Sequence, residues 1–567
     1  MKYLVVVGSV ISGIGKGIFS SSCGVLLKSM GYKVTAIKID PYLNIDAGLM
    51  NPNEHGEVFV LNDGSEVDLD LGNYERFLDI NFTSDNNITT GKIYRNVINK
   101  EREGKFLGKT VQVVPHITNE IQEWIESVAT SDISNDICTI ELGGTIGDIE
   151  SNPFIEALRQ LRKKVGPGNF CLVQVTLVPG EGADQKSKPT QSCVRDLRSL
   201  GLAPNIIACR CKYPLNEEVK NKINHFCDVD KSHIISFHNC GTIYEVPILL
   251  KKLNLEQIFI KELNLDPEKT IDSNKNGYYE LWCEMAKRFY HFENKSVKIG
   301  IVGKYTKTAD AYFSIIKALE HASAKLGICV VPVLVESSDL EIDPLEPEFS
   351  DLSDTLNLNN IVLDSQSKKT IAWDKLIECD GVLVPGGFGN RGVNGKLAAI
   401  KYARVNKIPF FGICYGMQLA VIEYARNVLN LNDSNSTELD PECEHKIVIN
   451  MPEIRNDIMG GTQRLGVRET VLFDSNVKTF YNGANTIFER HRHRYEVNPQ
   501  YVKRIEETGM KFVGKDTKME RMEIIELKDH PFFVGTQFHP EYISRPLHPA
   551  CLFEAFVHAV AKTKNYF

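Results

Sequence analysis

Leu4-Val5-Val6-Val7-Gly8-Ser9-Val10-Ile11-Ser12-Gly13-Ile14-Gly15-Lys16-Gly17 decides how the first half of the chain is read. A β-branched run ends in a glycine-dense loop carrying one lysine, and Ile18 to Met30 follows with a helical pattern. Strand, loop and helix in that order form an anion site, because tight glycine turns aim backbone N–H groups and a helix N-terminus at a phosphate. Lys16 adds a point charge for the distal phosphates. A strict Walker A motif would place its first glycine at Val10, but it lies at Gly8. Gly17 stands where that motif carries the Ser or Thr that helps hold Mg²⁺. A dinucleotide fingerprint is excluded, since Gly13-x-Gly15 lacks the third glycine three residues on. Taken alone, the loop leaves nucleotide binding and an ordinary glycine turn both open.

The 567 residues are too many for one core and imply about two to four domains. Hydrophobic content of 43% and charged content of 24% are those of an ordinary soluble globular protein. A net charge of −8 provides no overall basic field, so no nucleic-acid partner is expected. The N-terminus reads as a core strand rather than a signal peptide, and no apolar run is long enough to span a bilayer, so no membrane partner is expected. The 14 cysteines are scattered through apolar segments, as at Cys138, Cys171 and Cys209. Cys209-x-Cys211 suits neither a zinc ribbon nor a redox CxxC, which points to reduced thiols and a cytoplasmic location.

Lys33 to Ile39 reads as a second strand ending in Lys38-Ile39-Asp40-Pro41-Tyr42. Strand ends are where an open α/β sheet presents ligand groups. Asp68 and Asp70 alternate, which would put both on one face of a strand-like segment suited to hydrated Mg²⁺; a solvated acidic loop is the competing reading. Two further strands are expected, Thr110 to Val114 and Asp136 to Leu142. The second ends in Glu141-Leu142-Gly143-Gly144-Thr145-Ile146-Gly147-Asp148-Ile149-Glu150. Glu141 can join Asp70 around Mg²⁺ and so supply carboxylates that the deviant loop lacks. After a strand at Phe170 to Val178 comes Lys186-Ser187-Lys188-Pro189-Thr190-Gln191, either a charged loop or a grip for a second triphosphate. Strands at Asn205 to Cys211 and His233 to Phe237 complete a strand–helix alternation, hence a mostly parallel sheet.

Polar residues from about Leu263 to Asn276, broken by Pro267, suit a linker, and Tyr278 to Phe292 reads as an amphipathic helix. The pattern restarts with a strand at Val297 to Gly303, a helix at Ala311 to Leu326 and a strand at Ile328 to Val335, marking a second α/β domain. Glu336 to Thr370 is acid-rich and aperiodic, an expected surface insertion. Asp380 to Gly389 is a strand delivering the turn Gly386-Gly387, whose N–H groups can form an oxyanion hole. In Phe411-Gly412-Ile413-Cys414-Tyr415-Gly416-Met417-Gln418, Cys414 sits between glycines at a strand-to-helix junction, the arrangement of a nucleophile elbow. The helix N-terminus favours its thiolate. A buried structural cysteine is the alternative until partners appear. They appear at Gln537-Phe538-His539-Pro540-Glu541: His539 as base and Glu541 to orient its imidazole. That set fits attack on a carboxamide, releasing ammonia and leaving a thioester.

With these motifs assembled, the chain resembles the CTP synthases, glutamine-dependent amidoligases, over essentially its whole length apart from the acidic insertion. The carrying segments are Ser12 to Gly17, Lys38 to Tyr42, His55 to Val60, Asp68 to Gly72, Gln112 to Thr118, Glu141 to Glu150, Lys186 to Gln191, the Cys414 elbow and Gln537 to Glu541. The resemblance implies a P-loop-like, mostly parallel-sheet synthetase domain (1–275), a linker helix (276–297) and a class I glutamine amidotransferase α/β domain (298–567, with its insertion at about 336–370). It also implies amination of UTP to CTP with ATP, Mg²⁺ and L-glutamine, and phosphorylation of the uracil 4-oxygen before ammonia attacks C4. By position, Gly13, Ile14, Gly15, Lys16, Gly17, Ile18, Lys38 and Asp70 match ATP contacts, while Asp70 and Glu141 match metal ligands. Ser12, Asp148, Ile149, Glu150, Lys186, Ser187, Lys188, Pro189, Thr190, Gln191 and Lys222 match UTP and CTP contacts. His55 lies where the family routes ammonia. Gly386, Gly387, Tyr415, Gly416, Met417, Gln418, Glu438 and Arg494 match glutamine-holding positions around Cys414, His539 and Glu541. GTP as an allosteric activator and self-association into a homotetramer, with filaments in some members, belong to the same implication.

Three positions depart from the family pattern: Ser9 replaces a common Gly, Gly13 stands where many members have Ser, and Gln463 stands where Met is usual. None removes a reacting group. A P-loop amidase of carboxylates and a scaffold that has lost catalysis are the competing readings. The first leaves the Asp148 to Glu150 and Lys186 to Gln191 matches without a purpose. The second is disfavoured because Lys16, Asp70, Glu141, Cys414, His539 and Glu541 are all present.

Overall fold

The computed structural model describes residues 1–9, 11, 13–269, 277–292, 295–341, 370–454 and 460–567. Ser12, part of the expected linker and most of the expected acidic insertion lie outside the described residues. By contacts the chain divides into two units, Met1–Ala47 with Asp70–Lys287, and Gly48–Leu69 with Arg288–Phe567.

In the first half the strands are β1 Lys2–Gly8, β2 Val34–Asp40, β3 Val58–Val60, β4 Glu66–Asp68, β5 Asn87–Thr89, β6 Ile137–Leu142, β7 Phe170–Leu177, β8 Ile206–Cys211 and β9 Ile234–His238. Seven of them make one parallel sheet in the order β5-β2-β6-β1-β7-β8-β9. β1 is central, and its residues Leu4 to Val7 are almost completely buried, as continuous β-branched runs are in a sheet covered on both faces. Because β6 and β7 flank β1 on opposite sides, the loops after all three strands open a crevice at the carboxyl edge. The helix Lys16–Ser29 starts directly from the glycine loop, with Gly15 at φ 93°, a conformation that costs glycine little.

Two expectations fail here. Thr110 to Val114 is not a strand: Val113–Ile117 forms a short π-helical turn through Pro115, which has no N–H to give a ladder. Asp68 and Asp70 do not share a strand face either. Asp68 ends β4 and Asp70 lies in the first turn of the helix Leu69–Leu78, so the alternation is interrupted by a change of period.

The second unit holds β10 Ser296–Gly303, β11 Cys329–Glu336, β12 Gly381–Val384, β13 Phe410–Ile413, β14 Ser434–Ser436, β15 His445–Asn450, β16 Arg464–Leu472, β17 Thr486–His493, β18 Tyr495–Val497, β19 Met510–Asp516, β20 Met522–Leu527 and β21 Phe533–Thr536. The large sheet runs β11-β10-β12-β13-β21-β20-β19-β16-β17. It is parallel from β11 to β21 and antiparallel from there on. β12, β13 and β21 lie side by side, so their carboxyl ends bring together the Gly386-Gly387 turn, Cys414 and the segment that leads to His539.

The β3–β4 hairpin packs in this unit although it lies early in the chain. Arg490 Nε donates to Asn62 Oδ1 at 2.6 Å, and Tyr542 Oη donates to the Val58 carbonyl at 3.0 Å. Arg492 Nε donates to Glu66 Oε1 at 2.7 Å, with only 2% of the Glu66 side chain exposed. Removing one partner of such a pair strands the other charge. Glu66→Gln is therefore expected to cost about 3 kcal/mol; a chemical denaturation midpoint equal to the parent's would contradict this.

Candidate active sites

At the carboxyl edge of the first sheet, Lys16 is 8% exposed and its Nζ donates to the Gly144 carbonyl at 2.8 Å. The lysine stem folds back over Gly8. A Cβ at Gly8 would stand 2.5 Å from Lys16 Cδ, which explains why the first loop glycine is at position 8. Burial lowers the Lys16 pKa, and the nearby Lys38 adds to this against the opposing pull of Glu141. Lys38 donates to Asp40 Oδ1 at 2.7 Å and to Asp70 Oδ2 at 2.9 Å. For Asp70, burial acts upward, but Lys38, then Lys16 and Arg76, outweigh it and hold the carboxyl below its usual range. Glu141 is pushed up to about 7 by burial and by the charge of Asp70, against Lys38, Lys16 and the 2.8 Å hydrogen bond from Tyr74 Oη.

Asp70 and Glu141 converge over the first turn of the loop helix. A Cβ on Gly17 would lie 3.1 Å from Asp70 Oδ1, a tight approach, and 3.5 Å from Glu141 Oε2, an ordinary contact, so a Ser or Thr there would crowd the Asp70 carboxylate. Two converging carboxylates fit a hard cation that keeps water and phosphate oxygens as its other ligands.

Of the expected pyrimidine-nucleotide positions, 148–150 and 186–191 follow strands at this edge of the sheet. Asp148, Ile149 and Glu150 follow β6 and are exposed, with Asp148 Oδ2 accepting from the Thr145 N–H at 3.1 Å. After β7, exposed Lys186 pairs with Asp184 at 2.5 Å, and Lys188 and Pro189 open the helix Lys188–Ser199. Ser187 Oγ accepts from Gln191 Nε2 at 3.0 Å, and buried Thr190 shares a hydrogen bond of 3.0 Å with Thr176. Lys222 is exposed on the helix Glu217–Cys227. No hydrogen bond or ion pair joins 148–150 to 186–191 among the described residues. The odd Ser9 is 3% exposed and its Oγ accepts from Gln174 Nε2 at 3.3 Å, tying the loop to β7.

In the second unit Cys414 adopts φ 51°, ψ −100°, a strained backbone forced by the turn from β13 into the helix Tyr415–Asn427. Its flanking glycines are steric requirements. A Cβ at Gly412 would meet the Gly416 carbonyl carbon at 2.8 Å, and one at Gly416 would meet the Val384 carbonyl oxygen at 2.1 Å. His539 Nδ1 lies 2.8 Å from Glu541 Oε1, and the ring stacks on Tyr542 with centroids 5.0 Å apart. Burial opposes a charge on His539, but Glu541 and Cys414 more than compensate and raise its pKa to about 10. Gly386 abuts the same ring, with a Cβ there falling 2.7 Å from His539 Cε1.

These groups face a cavity of about 470 Å³ whose lining includes Gly386, Gly387, Cys414, Gln418, Glu438 and Arg494. Gln418 Nε2 donates to the Tyr495 carbonyl at 3.0 Å, and Glu438 Oε1 accepts from the Gly389 N–H at 2.7 Å. Burial raises the Glu438 pKa. Arg494 donates to Thr462 Oγ1 at 2.8 Å. Met417 is a fully buried core side chain, and Gly416 packs on Val384, so only their backbones are available to a ligand. Tyr415 Oη donates to the Gly389 carbonyl at 3.0 Å. His55 is exposed at the end of the short helix Pro52–His55.

Sequence reasoning passed over several residues. Gln537 Nε2 donates to Cys414 Sγ at 3.6 Å, and Sγ approaches the Arg492 carbonyl at 3.5 Å. Gln537 stood inside a quoted motif, two residues before the histidine, and could have been noticed there. Gly48, Leu49, Met50, Pro52, Glu57 and Val58 also line the cavity. No spacing or pattern could have linked them to a cysteine so far along the chain.

The arrangement defines a class, a P-loop-like ligase unit and a Cys-His-Glu glutaminase carried on one chain. Residues 2–265 match the family model described as CTP synthase N-terminus, and residues 308–559 match that of glutamine amidotransferase class-I. CTP synthase 1-B of Xenopus laevis and CTP synthase 1 of Homo sapiens are each 52% identical over 559 residues, covering 97% of this chain and 91% of theirs. CTP synthase of Schizosaccharomyces pombe is 50% identical over 97% of this chain and 90% of its own. The chain belongs to the CTP synthase family.

Two outcomes follow. Gly416→Ala displaces the elbow and is expected to lower glutamine hydrolysis on the order of 100-fold; parent-like turnover would refute the close contact with Val384. Because the folded His539 value of about 10 lies above the free value of 6.5, the stabilisation it contributes is complete below pH 6.5 and is lost as pH rises through about 10. An imidazole titration followed by NMR should have its midpoint near 10 and move down in Glu541→Gln.

Proposed function

We propose that residues 1–275 form the amidoligase, 276–297 a connecting helix and 298–567 the glutaminase of an enzyme that aminates UTP to CTP with ATP and glutamine. The convergence of Asp70 and Glu141 over Gly17 beside Lys16 and Lys38 carries the ligase assignment. The loop from Gly13 to Ile18 cradles the ATP phosphates, Lys16 meets the transferring group, and Lys38 neutralises charge as it develops. ATP phosphorylates the uracil 4-oxygen, converting it to a leaving group. Ammonia then attacks C4 and phosphate departs. Asp70 and Glu141 would hold Mg²⁺, which when bound offsets the charge of the phosphates. Asp148 to Glu150, Lys186 to Gln191 and Lys222 hold the pyrimidine nucleotide.

In the glutaminase the Cys414 thiolate attacks the glutamine carboxamide while the Gly386-Gly387 turn and the helix N-terminus receive the oxyanion. His539, oriented by Glu541, protonates the departing ammonia and then activates water against the thioester. Gln418, Glu438 and Arg494 hold the substrate, and His55 lies on the ammonia route. GTP activation, a homotetramer and a cytoplasmic location rest on family resemblance; among the described residues no helix is long and apolar enough to cross a membrane.

The test is CTP formation from UTP, ATP and Mg²⁺, with glutamine and separately with ammonium chloride. Both donors should support synthesis, whereas Cys414→Ala should lose glutamine use and keep ammonium use. Loss of both would sink the division of labour. Lys16→Ala should lose both activities, and CTP made by that variant would refute the phosphate role.

A further inference from the structure

Lys396, on the helix Val393–Val405, is an expensive residue to have where it is. It is 1% exposed, and among the described residues its Nζ has no hydrogen-bond partner. An amine taken out of water without a counter-ion destabilises a fold, and a methionine would fill the same volume without that cost. The Nζ stands 5.0 Å from the centroid of the Tyr415 ring and 3.5 Å from where a Cβ of Gly387 would sit. Gly387 lies in the turn after β12 to which the oxyanion is assigned above, and Tyr415 follows the nucleophile directly at the start of its helix.

We propose that Lys396 is a positioning residue of the glutaminase reaction, an ammonium held behind Gly387 and Tyr415 that stabilises the negative charge developing on the glutamine carbonyl oxygen. It acts through those residues and forms no bond to the substrate. Lys304 and Arg391 oppose its charge, while Glu336, Glu438 and Cys414 favour it. The opposing cations are partly engaged elsewhere: Arg391 pairs with Glu336 at 3.3 Å, and Lys304 Nζ donates to the Phe388 carbonyl. Burial, followed by Lys304, lowers the Lys396 pKa to about 7, so a new anion beside it favours the protonated form during the reaction.

The inference rests on the glutaminase reading above, and the experiment separates the two. In the full-length protein, Lys396→Met should lower glutamine-dependent kcat about tenfold and leave KM for glutamine and ammonium-dependent CTP synthesis near the parent's values. Its thermal midpoint should equal or exceed the parent's, because a buried unpaired amine has been removed. The parent's glutaminase kcat should decline as pH rises above about 7, and the variant should lack that limb. Lys396→Gln, polar but uncharged, should lose kcat to the same extent. An unchanged kcat overturns the proposal, and so does a loss accompanied by a lowered midpoint and impaired ammonium-dependent synthesis. Retained glutamine use in Cys414→Ala would instead sink the glutaminase reading itself.

Discussion

Lys38 donates to Asp40 and Asp70 at 2.7 and 2.9 Å from a side chain only 5% exposed, and the ligase unit buries Lys38 and Asp40 while Asp70 stays 29% exposed. Charges so placed persist only where each meets an opposite charge or a fixed dipole. Lys16 reaches a carbonyl, Asp40 also accepts from Asn87 at 2.8 Å, and Glu141 takes the Tyr74 hydroxyl. The parallel sheet makes this possible. Its strands end together, so residues from β2, β6 and the loop after β1 meet without any one segment having to carry them all.

The glutaminase solves a different problem, the exposure of one sulfur atom at a sharp turn. Positive φ at Cys414 is strained, and it is held because Gly412 and Gly416 let neighbouring backbones approach within distances that no side chain permits. Three adjacent strand ends then bring together the Gly386-Gly387 turn, Cys414 and the segment that leads to His539. The imidazole is held by the Glu541 carboxylate, the Tyr542 ring and the Gly386 backbone, which restricts its rotation. Preorganisation of this kind removes the cost of reorienting dipoles as charge appears.

Much of this was legible in the sequence. The β1-loop-helix order, the Cys414 elbow and the His539-Glu541 pair are local patterns, each set by turn sterics or strand period within a few residues. The misreadings share a physical origin as well. Thr110 to Val114 has strand-like composition, but Pro115 supplies no ladder donor. Asp68 and Asp70 look like neighbours on a strand until the chain changes to helical period between them. Gly8 and Gly17 looked like defects in a motif; in the fold the first clears the Lys16 stem and the second lies close against the Asp70 carboxylate.

The sequence by itself determined the reacting groups, the two α/β patterns and the kind of chemistry each can support, because those depend on side-chain identity and short-range backbone geometry. Only the tertiary structure decided which distant residues share a site. The hairpin between Gly48 and Leu69 packs with the glutaminase through Arg490, Arg492 and Tyr542. Gln537 turns its amide to the nucleophile, and the buried Lys396 Nζ has no hydrogen-bond partner among the described residues. Burial, long-range pairing and desolvation are properties of the packed chain, and no local pattern of residues encodes them.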